Sequence, residues 1–284
     1  MLVHIVHLKA LGREAWDDLG RALHLLQAGV KEGLPITADA FPYIKTGSLL
    51  YTLLPPWARD GGKQMILQRV GDPKQKRIIV EDIRALTLHY EKITVASAKK
   101  TSYLVGKTVE EVSKDLECVP EEAILEMLLL NDLAVTIFGE IINEKNLEAI
   151  YREPYVYFST DGVGRGLPQG QEHDLVHPRS FGASARFLQE YVREKSILSW
   201  EHAIQMMTAG PAGVVGLKDR GTLEKGMQAD VVVFNPKEIN DRATYTNPFQ
   251  FPSGISWVLI NGSIIVENGV YNGGHVGKVL RKRV

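Results

Sequence analysis

Four short apolar runs in this 284-residue chain end in residues able to activate water or hold a metal: His7 in LVHIVH, Asp39 in LPITADAFPY, Ser97 in KITVAS and Asp161 in YVYFSTDG. Asp161 has the clearest context. A carboxylate closing an apolar strand is costly to bury unless it binds a metal or a hydrogen-bond network. A strand-end aspartate can also accept the proton of an attacking water. The competing reading is an aspartate that caps the turn before Gly162. A glycine-rich loop follows and closes on His177-Pro178-Arg179. The planar, permanently charged guanidinium of Arg179 suits a substrate carboxylate, and Pro178 restricts the backbone beside it. His173 and His177 are further candidates to ligate a metal or polarise a substrate, although loop histidines are more often solvated. His4 and His7 lie three apart, so a regular strand sends their side chains to opposite faces. His7 is nearer the strand exit and is the better ligand candidate. Cys118 has no predicted chemical role.

The elements that must position these groups alternate in the first two-thirds of the chain. The spacing Leu19, Leu23, Leu26, Val30 predicts an amphipathic helix that stops at Gly33, with Pro35 beyond. Strands are expected in LPITADAFPY, KITVAS (92–97), LAVTIFGE (133–140) and YVYFSTDG. Thr108 and Glu111 read as a capping box, and a further helix is expected over about 199–208. This alternation implies a parallel sheet with helical crossovers, in which chemistry gathers at the C-terminal strand ends. From Gly221 the texture turns β-rich. Asn261-Gly262 between apolar runs signals a hairpin in a small antiparallel module.

Composition narrows the partners. Lys plus Arg total 33 against 34 acidic residues, a net charge of −1 with no basic field for nucleic acid. The single cysteine allows no intramolecular disulfide. No apolar window of about 18 residues is present for a membrane span, and the N-terminal run is broken by histidines and a lysine. The expectation is a cytoplasmic protein acting on a small molecule.

Taken in order, HIVHLKALGREAW, ITADAFPYIKTGSLLYTLLPPW, FSTDG…HPRSFGASARFLQEYVRE, LSWEHAIQMMTAGPAGVVGLKDRGTLEKGMQADVVVFNP and ATYTNPFQFPSGISWVLING resemble successive motifs of the D-aminoacylases (N-acyl-D-amino-acid deacylases) of the amidohydrolase superfamily. The resemblance implies an α/β fold: part of a TIM barrel, about strands 5 to 8, over residues 1–217, then part of a small β-sandwich over 218–284. It implies Zn2+ as cofactor and hydrolysis of the amide of N-acyl-D-amino acids. By the same resemblance His7 is a metal ligand, Asp161 both touches the metal and acts as general base and then acid, Arg179 grips the substrate α-carboxylate with His177 beside it, and Ser97 helps hold that carboxylate.

Two departures from the family pattern stand out. Asp39 occupies the strand end where a second histidine ligand is expected, either ligating metal through oxygen or hydrogen-bonding the site. The family's His-x-His and bridging cysteine have no counterpart here. The chain therefore resembles a C-terminal portion, expected to self-associate or to pair with a complementary N-terminal half. A non-catalytic or partner-dependent subunit and a cyclic amidohydrolase of the dihydroorotase or hydantoinase kind are the alternative readings; HPRSFG and FPY argue against the latter.

Overall fold

The computed structural model describes residues 2–164, 166–167 and 174–281. Strands β1 (Val3–Ile5), β2 (Ile36–Ala40) and β6 (Val156–Phe158) form a parallel sheet in the order β1-β2-β6. The register pairs Ile5 with Ala38 and Ala40 with Phe158. All three C-terminal ends thus open on the same side, where side chains from distant parts of the sequence can meet. The helix Leu19–Lys31 joins β1 to β2, burying Leu19 and Leu23, and the chain turns at Gly33 with φ 83° as its sequence predicts. Ala38, Ala40, Tyr151, Val156, Phe187 and Tyr191 are part of the core beneath this sheet.

Segments 92–97 and 133–140 do not extend the parallel sheet. Strands β3 (Lys45–Leu49), β4 (Ile93–Ala98) and β5 (Val135–Glu140) form a separate antiparallel sheet in the order β3-β5-β4. Two helices, Val109–Asp115 and Pro120–Leu130, intervene between β4 and β5, which nevertheless pair with each other, antiparallel, and not with the parallel sheet. The expected run of four consecutive barrel-type strands is therefore three parallel strands interrupted by an inserted α+β unit. That unit has its own core, including Leu50, Val70, Ile83, Val95, Leu125 and Ile137. Its helix Val109–Asp115 starts at the predicted capping box of Thr108 and Glu111. Asp72 caps the helix Pro73–Ala85 through the amides of Lys74 and Gln75.

After the helices Trp200–Met207 and Ala209–Val215 the chain forms an antiparallel meander of β7 (Val231–Phe234), β8 (Ile255–Ile260), β9 (Ser263–Glu267) and β10 (Val270–Tyr271), ordered β10-β9-β8-β7. Asn261 and Gly262, with φ 50° and 81°, make the tight turn between β8 and β9. The connection from β7 to β8 is long. Residues 235–254 run back over the parallel sheet's unit, where Tyr43 donates a hydrogen bond to Asp241 at 3.0 Å. No helix among the described residues is long and apolar enough to cross a membrane.

Candidate active site at the ends of the parallel strands

The site is assembled where β1, β2 and β6 end. Past β1 the chain leaves strand geometry, and His7 takes a left-handed backbone conformation with φ 54°. Its amide donates to Asp39 Oδ1 at 2.8 Å, which holds that turn. Past β6, Ser159 still pairs with the carbonyl of Ala40, and Asp161 then also enters the left-handed region with φ 46°. Its amide is held by Ser159 Oγ, and that of Gly162 by Thr160 Oγ1. Left-handed non-glycine residues are uncommon and cost on the order of 1–2 kcal/mol each. At His7 and Asp161 this strain turns the two side chains toward each other.

His7 Nε2 lies 3.3 Å from Asp161 Oδ1, and Arg179 Nη1 lies 2.7 Å from Asp161 Oδ2. Arg179 is the first residue of the helix Arg179–Phe187. Its side chain is only 12% exposed, against 26% for Asp161 and 33% for His7. The helix start comes close to the strand end because residue 162 is glycine: a Cβ there would lie 3.0 Å from the carbonyl oxygen of Arg179 and from Ser180 Cα. An open cavity of about 220 Å3 adjoins Arg179, lined by Thr160, Gly162, Val163, Ser180 and Phe181 among others.

Phe41, just beyond β2, floors the cluster. The His7 ring meets it edge-on, and Arg179 and Lys9 both place their cations over it, at 5.0 and 5.6 Å. Lys9 Nζ donates to the His7 carbonyl at 2.8 Å. Burial lowers the Lys9 pKa below the ordinary lysine range, while the Asp161 carboxylate opposes that fall. The Arg179 pKa is also lowered by burial and supported by Asp161. Lys9 is the site residue that the motif reading passed over.

Asp39 is placed next to His7 but does not present a free oxygen to a metal. His4 Nε2 holds Oδ2 at 2.9 Å, and the His7 amide holds Oδ1. His4 in turn places Nδ1 at 2.7 Å from Thr37 Oγ1. The two histidines therefore serve different groups, as their spacing predicts. Both Asp39 oxygens thus accept hydrogen bonds, the second of the two roles open to it in the sequence.

His177 is likewise turned inward. It is 6% exposed, and its Nε2 lies 3.0 Å from the carbonyl of Lys45 while its Nδ1 lies 3.2 Å from the amide nitrogen of Arg179. A carbonyl only accepts and an amide only donates. The ring must therefore be neutral, protonated on Nε2 and bare on Nδ1. Burial, reinforced by the Arg179 charge, pushes its pKa down to about 3. Neither nitrogen is offered to a metal or substrate, which departs from the direct role expected of it.

Ser97 makes no side-chain hydrogen bond to Asp161 or Arg179 among the described residues. It sits at an irregularity in the β4–β5 pairing, and the contact from this strand to the loop is made by its neighbour: the Leu175 amide donates to the Ala96 carbonyl at 2.7 Å. His173 lies outside the described residues. Cys118 is partly buried, and burial raises its pKa, which leaves a thiol without nucleophilic character.

Residues 169–266 match the model of the Amidohydrolase family. The chain is 48% identical over 124 residues, 44% of its own length, to an N-acyl-D-glutamate deacylase of Alcaligenes xylosoxydans xylosoxydans, of which that match covers 24%. It is 25% identical over 285 residues to the D-aminoacylase of the same organism, covering 99% of this chain and 49% of the relative. Among solved structures, the N-acyl-D-glutamate deacylase from Bordetella Bronchiseptica, complexed with zinc and a phosphonate inhibitor, superposes with a TM-score of 0.72 at 24% identity, over 93% of this chain and 46% of that one. The fold is thus an α/β fold of the kind found in the D-aminoacylase amidohydrolases. The chain spans no more than about half the length of these relatives. These relatives agree with the resemblance read from the motifs: the chain is similar to N-acyl-D-amino-acid deacylases and, over residues 169–266, to the Amidohydrolase family.

Proposed function

We propose that this chain carries part of the active site of a metal-dependent N-acyl-D-amino-acid deacylase, with residues 1–217 forming part of a TIM barrel and 218–284 part of a small β-sandwich. The observation that carries this reading is the meeting of His7, Asp161 and Arg179, far apart in sequence, at the shared end of three parallel strands. In this reading Asp161 takes a proton from the water that attacks the acyl carbon. It then returns that proton to the departing amine nitrogen, so that a carboxylate and a D-amino acid are released. Arg179 grips the substrate α-carboxylate, and the cavity beside it takes the adjoining part of the substrate. Lys9 and Phe41 complete a floor on which a second negative charge is tolerated. Asp39 and His177 act through their neighbours, holding the His7 turn and the Arg179 helix start.

A zinc ion in such a site would polarise the acyl oxygen and lower the pKa of water. The residues present do not fit it fully. His7 and Asp161 offer two donors, Asp39 is engaged elsewhere, and no group of three or more His, Cys, Asp or Glu able to hold a metal is found among the described residues. Zinc sites use three or four protein ligands. The donor count therefore supports a partner-dependent enzyme over a self-sufficient one. Exposed Leu2, Val3 and Val6 beside edge strand β1, and exposed Val232, Val233, Ile264 and Val270 on the tail sheet, are the surfaces such a partner would cover.

The test is co-expression with the N-terminal half of one of the relatives, followed by assay of D-glutamate release from an N-acyl-D-glutamate in the presence of zinc. Zinc-dependent release that disappears in Asp161→Asn supports the proposal. A folded complex of the two halves that binds zinc but has no activity on any N-acyl-D-amino acid counts against it.

A further inference from the structure

The His177 ring is enclosed edge-on by three aromatic side chains from three separate parts of the chain. Tyr43 follows β2, Phe138 lies in β5 of the inserted unit, and Tyr245 comes from the long excursion between β7 and β8; their ring centroids are 5.1, 5.3 and 5.1 Å away. Lys45 links the same groups. Its carbonyl accepts from His177, and its ammonium lies 5.0 Å over the Tyr245 ring. The excursion is tied down by Asp241, which accepts from Tyr43 and from the Ala243 amide and packs against Gly182.

From this geometry we infer that Tyr245 is a positioning residue for the carboxylate clamp: it seats the neutral His177 ring, which holds the Arg179 amide, so that the guanidinium meets its anion already oriented. The inference rests on the clamp reading of Arg179 and deepens it. An arginine loses much rotamer freedom when fixed. A side chain ordered before the ligand arrives spares that loss on binding. A part of the chain remote in sequence from the strand ends thereby sets the affinity for the free acid.

The experiment uses the isotope-labelled full chain and reads order at the Arg179 side-chain Nε–H by heteronuclear relaxation, together with the protonation of the two His177 ring nitrogens. In the native chain Arg179 should be ordered and His177 Nδ1 bare at pH 7. Tyr245→Leu should bring Arg179 close to the mobility of an exposed arginine such as Arg21, and Tyr245→Phe, which keeps the ring, should restore its order. Binding of an N-acyl-D-amino acid should weaken about tenfold in Tyr245→Leu, the order of magnitude of ordering one long side chain. Binding of its α-amide should not change. Unaltered Arg179 order in a folded Tyr245→Leu chain overturns the inference, even if melting falls. Should that variant not fold, the native chain decides, because a His177 protonated on Nδ1 also overturns it. A native chain that binds no free acid speaks against the clamp reading itself and leaves Arg179 order still readable.

Discussion

Arg179 and Asp161 stand 2.7 Å apart, so the arginine assigned to the substrate and the aspartate assigned to the proton hold one another. A carboxylate entering the site must compete with Asp161 for the guanidinium. If the proposed roles hold, clamp and proton carrier are coupled: capture of the substrate anion by Arg179 would release one oxygen of Asp161.

Asp39 holds the His7 amide and the His4 ring without facing the substrate. Asp39→Ala should release His7 from its left-handed turn and leave His4 held only by Thr37. The expected cost is about 1–3 kcal/mol of stability, with a loss of activity in the assembled enzyme that added zinc does not restore. Denaturant unfolding and zinc titration of activity measure both. Full recovery at high zinc would instead make Asp39 a ligand.

Acidification should weaken the fold through His177. Its folded pKa of about 3 lies below the ordinary value near 6.5 of an unfolded histidine. The neutral ring is the native form, so its contribution is complete above about pH 6.5 and is lost as pH falls toward 3. In that window the unfolded state binds one more proton at this residue, a slope of up to about 1.4 kcal/mol per pH unit. Urea unfolding of the native chain and His177→Asn at pH 7, 6 and 5 measures it. The variant should lack this part of the slope, and equal slopes would contradict the assignment.

Gly182 backs the anchor of the Tyr245 excursion. A Cβ there would fall 1.7 Å from Asp241 Oδ1, too close for any minor adjustment. Gly182→Ala should therefore displace Asp241 from Tyr43 and cost about 1–3 kcal/mol. Thermal melting checks this, and a second change, Asp241→Ala, should recover part of the loss by making room.

Zinc should bind weakly to the chain alone, since two donors are too few. Equilibrium dialysis against a mild chelator should strip it, and stoichiometric zinc that survives dialysis would refute the donor count.

Much of this was legible in the sequence. Apolar runs ending in His7 and Asp161 marked strand ends because strands and chemistry share that boundary in parallel α/β folds. The 19–31 helix, the Thr108 capping box and the Asn261-Gly262 turn follow from local physics and were found where expected. The pairing of β4 and β5 was not legible, because a strand's partner and direction are set by the tertiary packing and not by the strand's own residues. The inward role of His177 was hidden for a similar reason: its partners Lys45, Phe138 and Tyr245 are 132, 39 and 68 residues away, and only the tertiary fold brings them to its ring.

The most direct test of the central claim is the kcat/KM of Arg179→Ala in the two-half complex, compared on an N-acyl-D-glutamate and on its α-amide. Loss of one buried charge-assisted contact costs on the order of 2–5 kcal/mol, so the free acid should lose roughly a hundredfold or more. The α-amide, which carries no α-carboxylate to grip, should change little. Equal impairment on both substrates would contradict the account and would make Arg179 a support for the loop and for Asp161.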